Sequence, residues 1–199
     1  YLNAFREAQK RLSNANWKKA ATAILTTDTK PKIISKEVKV GKNTYFVTGF
    51  AKGSGMIHPD MATMLAFVAT DAALSPAMVK SICEEAAKVS FNRITVDGDT
   101  STNDAFVLMA TGARQNKKII KDSDEFRVLA ETICMVCTEL AKDIVRDGEG
   151  ATKFATITVF GDAEEERSRV AYAVAESPLV KTALFGSDAN WGRILAAVG

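Results

Sequence analysis

At 199 residues, 47% hydrophobic, 25% charged and with a net charge of +2, the chain has room for one large domain or two small ones. Its composition is that of an ordinary globular protein. Both signs of charge are spread along it and no basic block is longer than Trp17-Lys18-Lys19 or Lys117-Lys118, so nothing supports a nucleic-acid footprint. No apolar run approaches the ~20 residues of a membrane-spanning helix, and no signal peptide opens the sequence.

Residues 2–13 and 15–25 carry helical spacing, with a break and cap supplied by Ser13, Asn14 and Asn16. The polar turn Thr26-Thr27-Asp28-Thr29-Lys30-Pro31-Lys32 follows. Alternation over 33–40 and 43–50, joined by Gly41-Lys42, predicts a β-hairpin. Thr63–Asp71 is nearly all apolar and reads as a strand buried on both faces. Ser75-Pro76 is a cap followed by a first-turn proline and predicts a helix to about residue 90. Strands are predicted at Arg93–Val96 and Ala105–Ala110, on either side of a polar segment. A long helix over 123–146, a strand over 153–160 and a helix over 163–176 come next. Residues 177–186 lead into a loop, and a last helix opens near Asn190. This interleaving is an α/β pattern with at least one antiparallel pair.

The most informative stretch is Gly53-Ser54-Gly55-Met56-Ile57-His58-Pro59-Asp60-Met61-Ala62-Thr63, followed directly by the apolar run. A polar, glycine-containing segment ends at a small residue, and a Thr then opens a strand. That layout suits a chain that cuts itself before Thr63 and uses the freed Thr as a nucleophile. A Thr hydroxyl is a weak nucleophile without a base beside it, and an N-terminal Thr carries its own amine as that base.

Other segments admit two readings each. Asp97-Gly98-Asp99-Thr100-Ser101-Thr102-Asn103-Asp104 is either a hydrogen-bonded turn or part of a site. Asp99 and Asp104 have oxygen ligands for a hard cation, but the order Asp-Gly-Asp and the missing twelfth-position Glu rule out an EF-hand. Asp147-Gly148-Glu149-Gly150 is a helix C-cap, or a place where Glu149 faces a bound ammonium group. Lys52 is a solvated side chain, or a cation for a substrate carboxylate. Cys134-Met-Val-Cys137 has redox or half-zinc spacing, yet both cysteines fall on one face of the predicted helix and no second pair completes a zinc site. With Cys83 they are the only cysteines, which favours a reducing compartment without disulfides. His58, the only histidine, reads as a solvated loop residue or a minor contributor to a site. Gly-x-Gly at 53–55 lacks the third glycine and the following helix of a dinucleotide fingerprint.

Taken together, six blocks resemble the ornithine acetyltransferase family, the bifunctional glutamate/ornithine N-acetyltransferases of arginine biosynthesis. They are 26–32, 51–57, 62–65, 96–104, 147–153 and 181–193, in the family's order and nearly end to end. The resemblance implies a mixed-sheet α/β fold of the DmpA type, self-processing, with an N-terminal Thr nucleophile. It implies cleavage between Ala62 and Thr63. Residues 1–62 would then be the C-terminal part of an alpha chain and 63–199 the N-terminal part of a beta chain, the two associating as a heterotetramer.

By the same resemblance Thr63 is the nucleophile and Lys52 and Glu149 bind charged groups of substrate. Thr26 or Thr27 contacts substrate, strand alternation allowing only one of them to face the site. N-acetylornithine and glutamate are the implied substrates, with acetyl-CoA as donor in members that use it, and no metal or cofactor is implied. Neither a nucleic acid nor a membrane is an expected partner. The location is cytoplasmic, or an organellar matrix in a eukaryote.

Family members extend beyond both ends of this chain. Their Thr-Gly oxyanion pair lies upstream of Tyr1, and Thr48-Gly49 and Thr111-Gly112 sit in the wrong context to replace it. Tyr1 is not an initiator Met, so the sequence is expected to start inside a longer product. Ala189 stands where a Pro is common in the family. Two other classes share the pattern: an amidase or aminopeptidase in which water is the acceptor, and an unprocessed, inactive structural module.

Overall fold

A computed structural model of the chain describes residues 1–58 and 64–199. Helices α1 (Leu2–Lys10) and α2 (Trp17–Ala23) flank a single 3-10 turn over Asn14–Asn16, where the Ser13 side chain caps by accepting from Ala15 N–H. Both helices are shorter than the apolar spacing predicts. Strands β1 (Lys32–Val40) and β2 (Asn43–Lys52) form the expected hairpin, with Val40 opposite Asn43. Gly41 occupies the first loop position at φ +58°, a conformation that tight hairpin turns require and glycine adopts freely.

Strand β3 (Leu65–Thr70) pairs antiparallel with β2, Lys52 lying opposite Leu65. Strand β4 (Ala105–Ala110) pairs parallel with β3, and helix α3 (Pro76–Val89) lies between them in the chain. A parallel neighbour needs such a crossover, whereas the antiparallel β1–β2 hairpin needs only two loop residues. The sheet is therefore mixed, in the order β1-β2-β3-β4.

Helix α4 (Asp124–Arg146) starts where Ser123 Oγ accepts from Phe126 N–H. It buries Leu129, Ile133, Val136, Cys137, Leu140 and Ile144 as one stripe. That stripe packs with α3 on the sheet face formed by Val38, Tyr45, Val47, Ala51, Ala66 and Val68. The close approach depends on Gly49: a Cβ there would stand 2.8 Å from Val68 Cγ2 and 3.1 Å from Leu140 Cδ1. Within the Thr48-Gly49 pair, Gly49 is thus a packing residue, while the Thr48 hydroxyl bonds Ser35 on the other face. The opposite sheet face has thinner cover, with Trp17 of α2 edge-on to Phe50, which stacks on Phe67 at 5.3 Å. For that reason β3 alternates between buried and half-buried residues and is not buried on both faces.

Two predicted strands do not form. Over 93–96 a 3-10 turn (Phe91–Arg93) is followed by irregular chain, because Phe91 turns inward against Phe106 and the backbone crosses the 56–57 loop outside the sheet. There Val96 N–H and Thr95 Oγ1 both donate to the Ile57 carbonyl. Residues 153–160 run without strand pairing, and among the described residues no strand lies beside them. They span a cavity of about 420 Å3 between α4 and helix α5 (Glu164–Glu176). Helix α6 (Pro178–Phe185) occupies a stretch read as leading to a loop. Its start repeats the Ser-Pro signal of α3, Ser177 Oγ accepting from Val180 N–H. Helix α7 (Trp191–Val198) begins at the Asn190 cap. Among the described residues, no helix is long and apolar enough to cross a membrane.

Candidate functional site

Three segments distant in sequence meet at the end of β2. Lys52, its last residue, is 8% exposed and its Nζ donates to Thr26 Oγ1 at 3.3 Å. The neighbouring hydroxyls of Thr27 and Ser54 share a hydrogen bond of 2.6 Å. The Ser54 carbonyl accepts from Glu149 N–H at 2.8 Å, which brings the end of α4 to the same place. Glu149 lays its exposed carboxylate over Gly55: a Cβ at that glycine would stand 2.9 Å from Glu149 Oε1. Thr26, Thr27, Lys52 and Glu149 are therefore gathered in one region. Thr26 and Thr27 sit in a bend, not in a strand, so both hydroxyls turn toward the 52–54 segment and alternation does not choose between them. Ala62 and Thr63 lie outside the described residues. Met64, the first described residue beyond them, leads into β3 beside Lys52.

Beneath this rim lies a buried charge network that the sequence did not reveal. Lys32, 1% exposed, sends its Nζ to Asp28 Oδ1 and Asp147 Oδ2, each at 2.6 Å. Asp28 also accepts from Gly53 N–H at 2.6 Å, and Asp147 from Thr29 N–H at 3.0 Å and from the Thr29 hydroxyl. Burial on its own would raise the Asp28 carboxyl. The Gly53 amide and the Lys32 ammonium outweigh it and hold that group below the usual carboxylate range. Asp147 behaves alike, burial being outweighed by Lys32 and Thr29.

Across the loop that precedes β3, Asp97 accepts from Met56 N–H at 2.6 Å and Ile57 N–H at 3.0 Å, holding Met56 at φ +54°. Asp104 Oδ1 accepts from Met64 N–H at 2.5 Å, while its buried Oδ2 has no partner among the described residues. Burial pushes the Asp104 carboxyl up, against the Met64 amide and the nearby Lys52 charge. The segment 97–104 thus acts as a hydrogen-bonding turn toward the backbone N–H groups of Met56, Ile57 and Met64. Among the described residues, no three His, Cys, Asp or Glu side chains cluster as metal ligands.

The other two candidates make their contacts with other parts of the fold. His58 is not a solvated loop residue: its Nδ1 pairs with Glu176 and its ring lies 5.5 Å from that of Tyr172, both on α5. Cys137 is wholly buried in the α4 stripe and Cys134 half-buried beside it, and burial pushes both thiols up. A neutral thiol is a poor nucleophile and a poor metal ligand, so these are packing residues.

What sequence reasoning missed is Lys32, Asp28, Asp147 and Ser54. The three charged residues look like surface residues in any local window, because the network joins positions more than 100 residues apart. Ser54 carried a weak signal, a hydroxyl between two glycines where the backbone must pass close to another segment.

With this geometry in hand, comparison with known proteins is specific. The family model described as the ArgJ family matches residues 1–199. The arginine biosynthesis bifunctional protein ArgJ of Neisseria meningitidis serogroup A is 55% identical over 192 residues, covering 95% of this chain and 47% of that protein. Its namesake in Psychrobacter arcticus is 56% identical over 192 residues, covering 94% and 47%. That of Methylococcus capsulatus is 52% identical over 197 residues, covering 98% and 48%. The crystal structure of arginine biosynthesis bifunctional protein ArgJ from Bacillus halodurans aligns with a TM-score of 0.59 at 40% identity, over 67% of this chain and 63% of that one. The chain spans about half the length of the curated relatives it matches. Matched along its whole length and folded as a mixed-sheet α/β unit, this chain belongs to the ArgJ family.

Proposed function

We propose that the protein containing this chain transfers an acetyl group from N-acetylornithine to glutamate, in arginine biosynthesis, through an ester on Thr63. The observation that carries the reading is the convergence of Thr26, Thr27, Lys52 and Glu149 beside the strand that opens two residues after Thr63. An ammonium and a carboxylate on one rim suit a ligand that itself carries both charges. The relatives' name, arginine biosynthesis bifunctional protein, agrees with such a ligand.

In this reading Thr63 Oγ first attacks the Ala62 carbonyl. The acyl group moves from nitrogen to oxygen, and water hydrolyses the ester, leaving an alpha chain that ends at Ala62 and a beta chain that begins at Thr63. Residues 1–62 and 63–199 are the adjoining parts of those two chains, which stay associated as a heterotetramer. The new α-amine takes the Oγ proton as Oγ attacks the acetyl carbonyl of N-acetylornithine. The C–N bond breaks, the leaving nitrogen takes the proton, and ornithine departs. Glutamate's amine then attacks the acetyl ester and regenerates Thr63. Lys52 holds a substrate carboxylate, Glu149 a substrate ammonium, and the 26–27 hydroxyls complete the rim. Acetyl-CoA as a second acetyl donor would form the same ester and account for two activities.

Intact-protein mass spectrometry before and after mixing with N-acetylornithine tests the proposal. Two masses dividing between Ala62 and Thr63, with an acetyl adduct on the later piece, are the expected result, and Thr63→Ala should abolish both. Cleavage and transfer that survive Thr63→Ala would overturn it. Release of free acetate with no acetylglutamate would instead make the protein an amidase.

A further inference from the structure

The buried charges of Lys32, Asp28 and Asp147 have a placement that neutralisation alone does not require. A buried ammonium needs one well-placed carboxylate, and two leave the network with an excess negative charge. Their remaining lone pairs are directed to backbone and hydroxyl donors of particular segments. Asp28 takes Gly53 N–H at 2.6 Å and Thr26 N–H at 3.4 Å. Asp147 takes the N–H and the hydroxyl of Thr29.

Each candidate ligand group is then one or two residues from a member of the network. Thr26 and Thr27 precede Asp28, Lys52 precedes Gly53, and Glu149 follows Asp147 by two. Apart from the Thr26 amide, the network touches none of these ligand groups, so it can shift them without removing any. The hydroxyl-and-ammonium side of the rim hangs on Asp28, and the carboxylate side hangs on Asp147. Lys32 and Thr29 are the links between the two.

We infer that the Asp28–Lys32–Asp147 network, closed by the Thr29 hydroxyl, is the positioning element that sets the distance from Lys52 to Glu149. It thereby selects amino-acid substrates by side-chain length. This rests on the reading of the site as an acetyl-transfer site for charged amino acids. Such a ruler discriminates between homologues differing by one methylene, a difference that a well-formed site turns into roughly 10–200-fold in kcat/KM.

The test compares N-acetylornithine with its homologues one methylene shorter and one longer, in the full protein. Thr29→Val removes the hydroxyl donor to Asp147 at nearly constant volume, and Thr29→Ser restores it. Asp147→Asn serves as a second, independent variant should valine disturb folding. Ile133→Val, in the middle of α4 and away from the rim, controls for lost stability. The expected result is a fall of about tenfold or more in the length preference of Thr29→Val and Asp147→Asn, with Thr29→Ser and Ile133→Val keeping the parent ratio. Equal losses on all three lengths, or no change, in both Thr29→Val and Asp147→Asn would overturn the inference while leaving the acetyl-transfer reading intact. If the unmodified protein transferred acetyl from none of the three, that reading and this inference would fall together.

Discussion

Gly55→Ala separates ligand recognition from stability. Gly55 lies outside the left-handed backbone region, so alanine is allowed there, and the lost unfolded-state freedom favours the folded protein by about 0.4–1 kcal/mol. The added Cβ would lie 2.9 Å from Glu149 Oε1, 3.0 Å from its Cδ and 3.4 Å from Oε2. The obstacle is the far end of an exposed, flexible side chain, which relieves the contact by swinging out toward solvent. The fold is then unharmed while the carboxylate moves by several tenths of an ångström or more. A hydrogen bond to a charged group contributes about 1.5–3 kcal/mol, so on the proposed role of Glu149 as ammonium ligand its displacement should raise KM for N-acetylornithine roughly ten- to hundredfold. The thermal midpoint should stay level or rise. Steady-state kinetics with N-acetylornithine, run beside a thermal melt and beside Glu149→Gln, provide the assay. Glu149→Gln should raise KM comparably, and the double variant should add little, because both changes remove the same contact. An unchanged KM in Gly55→Ala would refute the placement of Glu149 as the ammonium ligand.

Gly49→Ala makes the opposite separation. Its Cβ meets Val68 and Leu140 inside the packed core, so overpacking of about 1–3 kcal/mol outweighs the entropic gain of about 0.4–1 kcal/mol, and the thermal midpoint should fall by several degrees. A melt at or above the parent's would mean that α4 does not press on the sheet as described. Acid should act through Asp28 and Asp147. Both carboxyls lie below their usual value of 3.8 in the folded protein, so their stabilisation is present above that value and is lost as pH falls through the folded values. Urea unfolding should show stability from this source level down to about pH 4 and declining below, and Asp147→Asn should shallow the decline.

The fold was legible wherever a local rule decided the outcome. The 40–43 turn, the Ser75-Pro76 start and the Ser123 cap each satisfy backbone groups within four residues, and the elements they bound lie where spacing places them. The failures have a common cause. Residues 153–160 alternate as a strand should, but a ladder needs a neighbour, and none lies beside them among the described residues. At 93–96 the β-branched run gives way to one buried aromatic, Phe91 packing edge-on to Phe106 and so leaving water. The helix at 178–185 was missed although its Ser-Pro start matched that of α3, because its short length left little periodicity to detect.

The site divides along the same line. Lys52 and Glu149 were nameable because each abuts a glycine that lets backbone pass close by, and the resemblance assigned them roles. What brings them together was not nameable, because the energy of a buried charge depends on partners that only the fold supplies. Lys32 follows Lys30-Pro31 and opens an alternating strand, the local signature of a solvated lysine. One carboxylate would suffice to balance its burial, yet residues 28 and 147 both arrive at 2.6 Å, residue 147 because α4 ends against the hairpin. Removing the lysine alone would leave two buried carboxylates facing each other, which buried-pair variants elsewhere put at about 3–5 kcal/mol of lost stability. A charge so costly to strand lies beneath the rim where three distant segments meet, and on the inference above it would hold the segments carrying Thr26, Lys52 and Glu149 at a set separation although two of the three are loops.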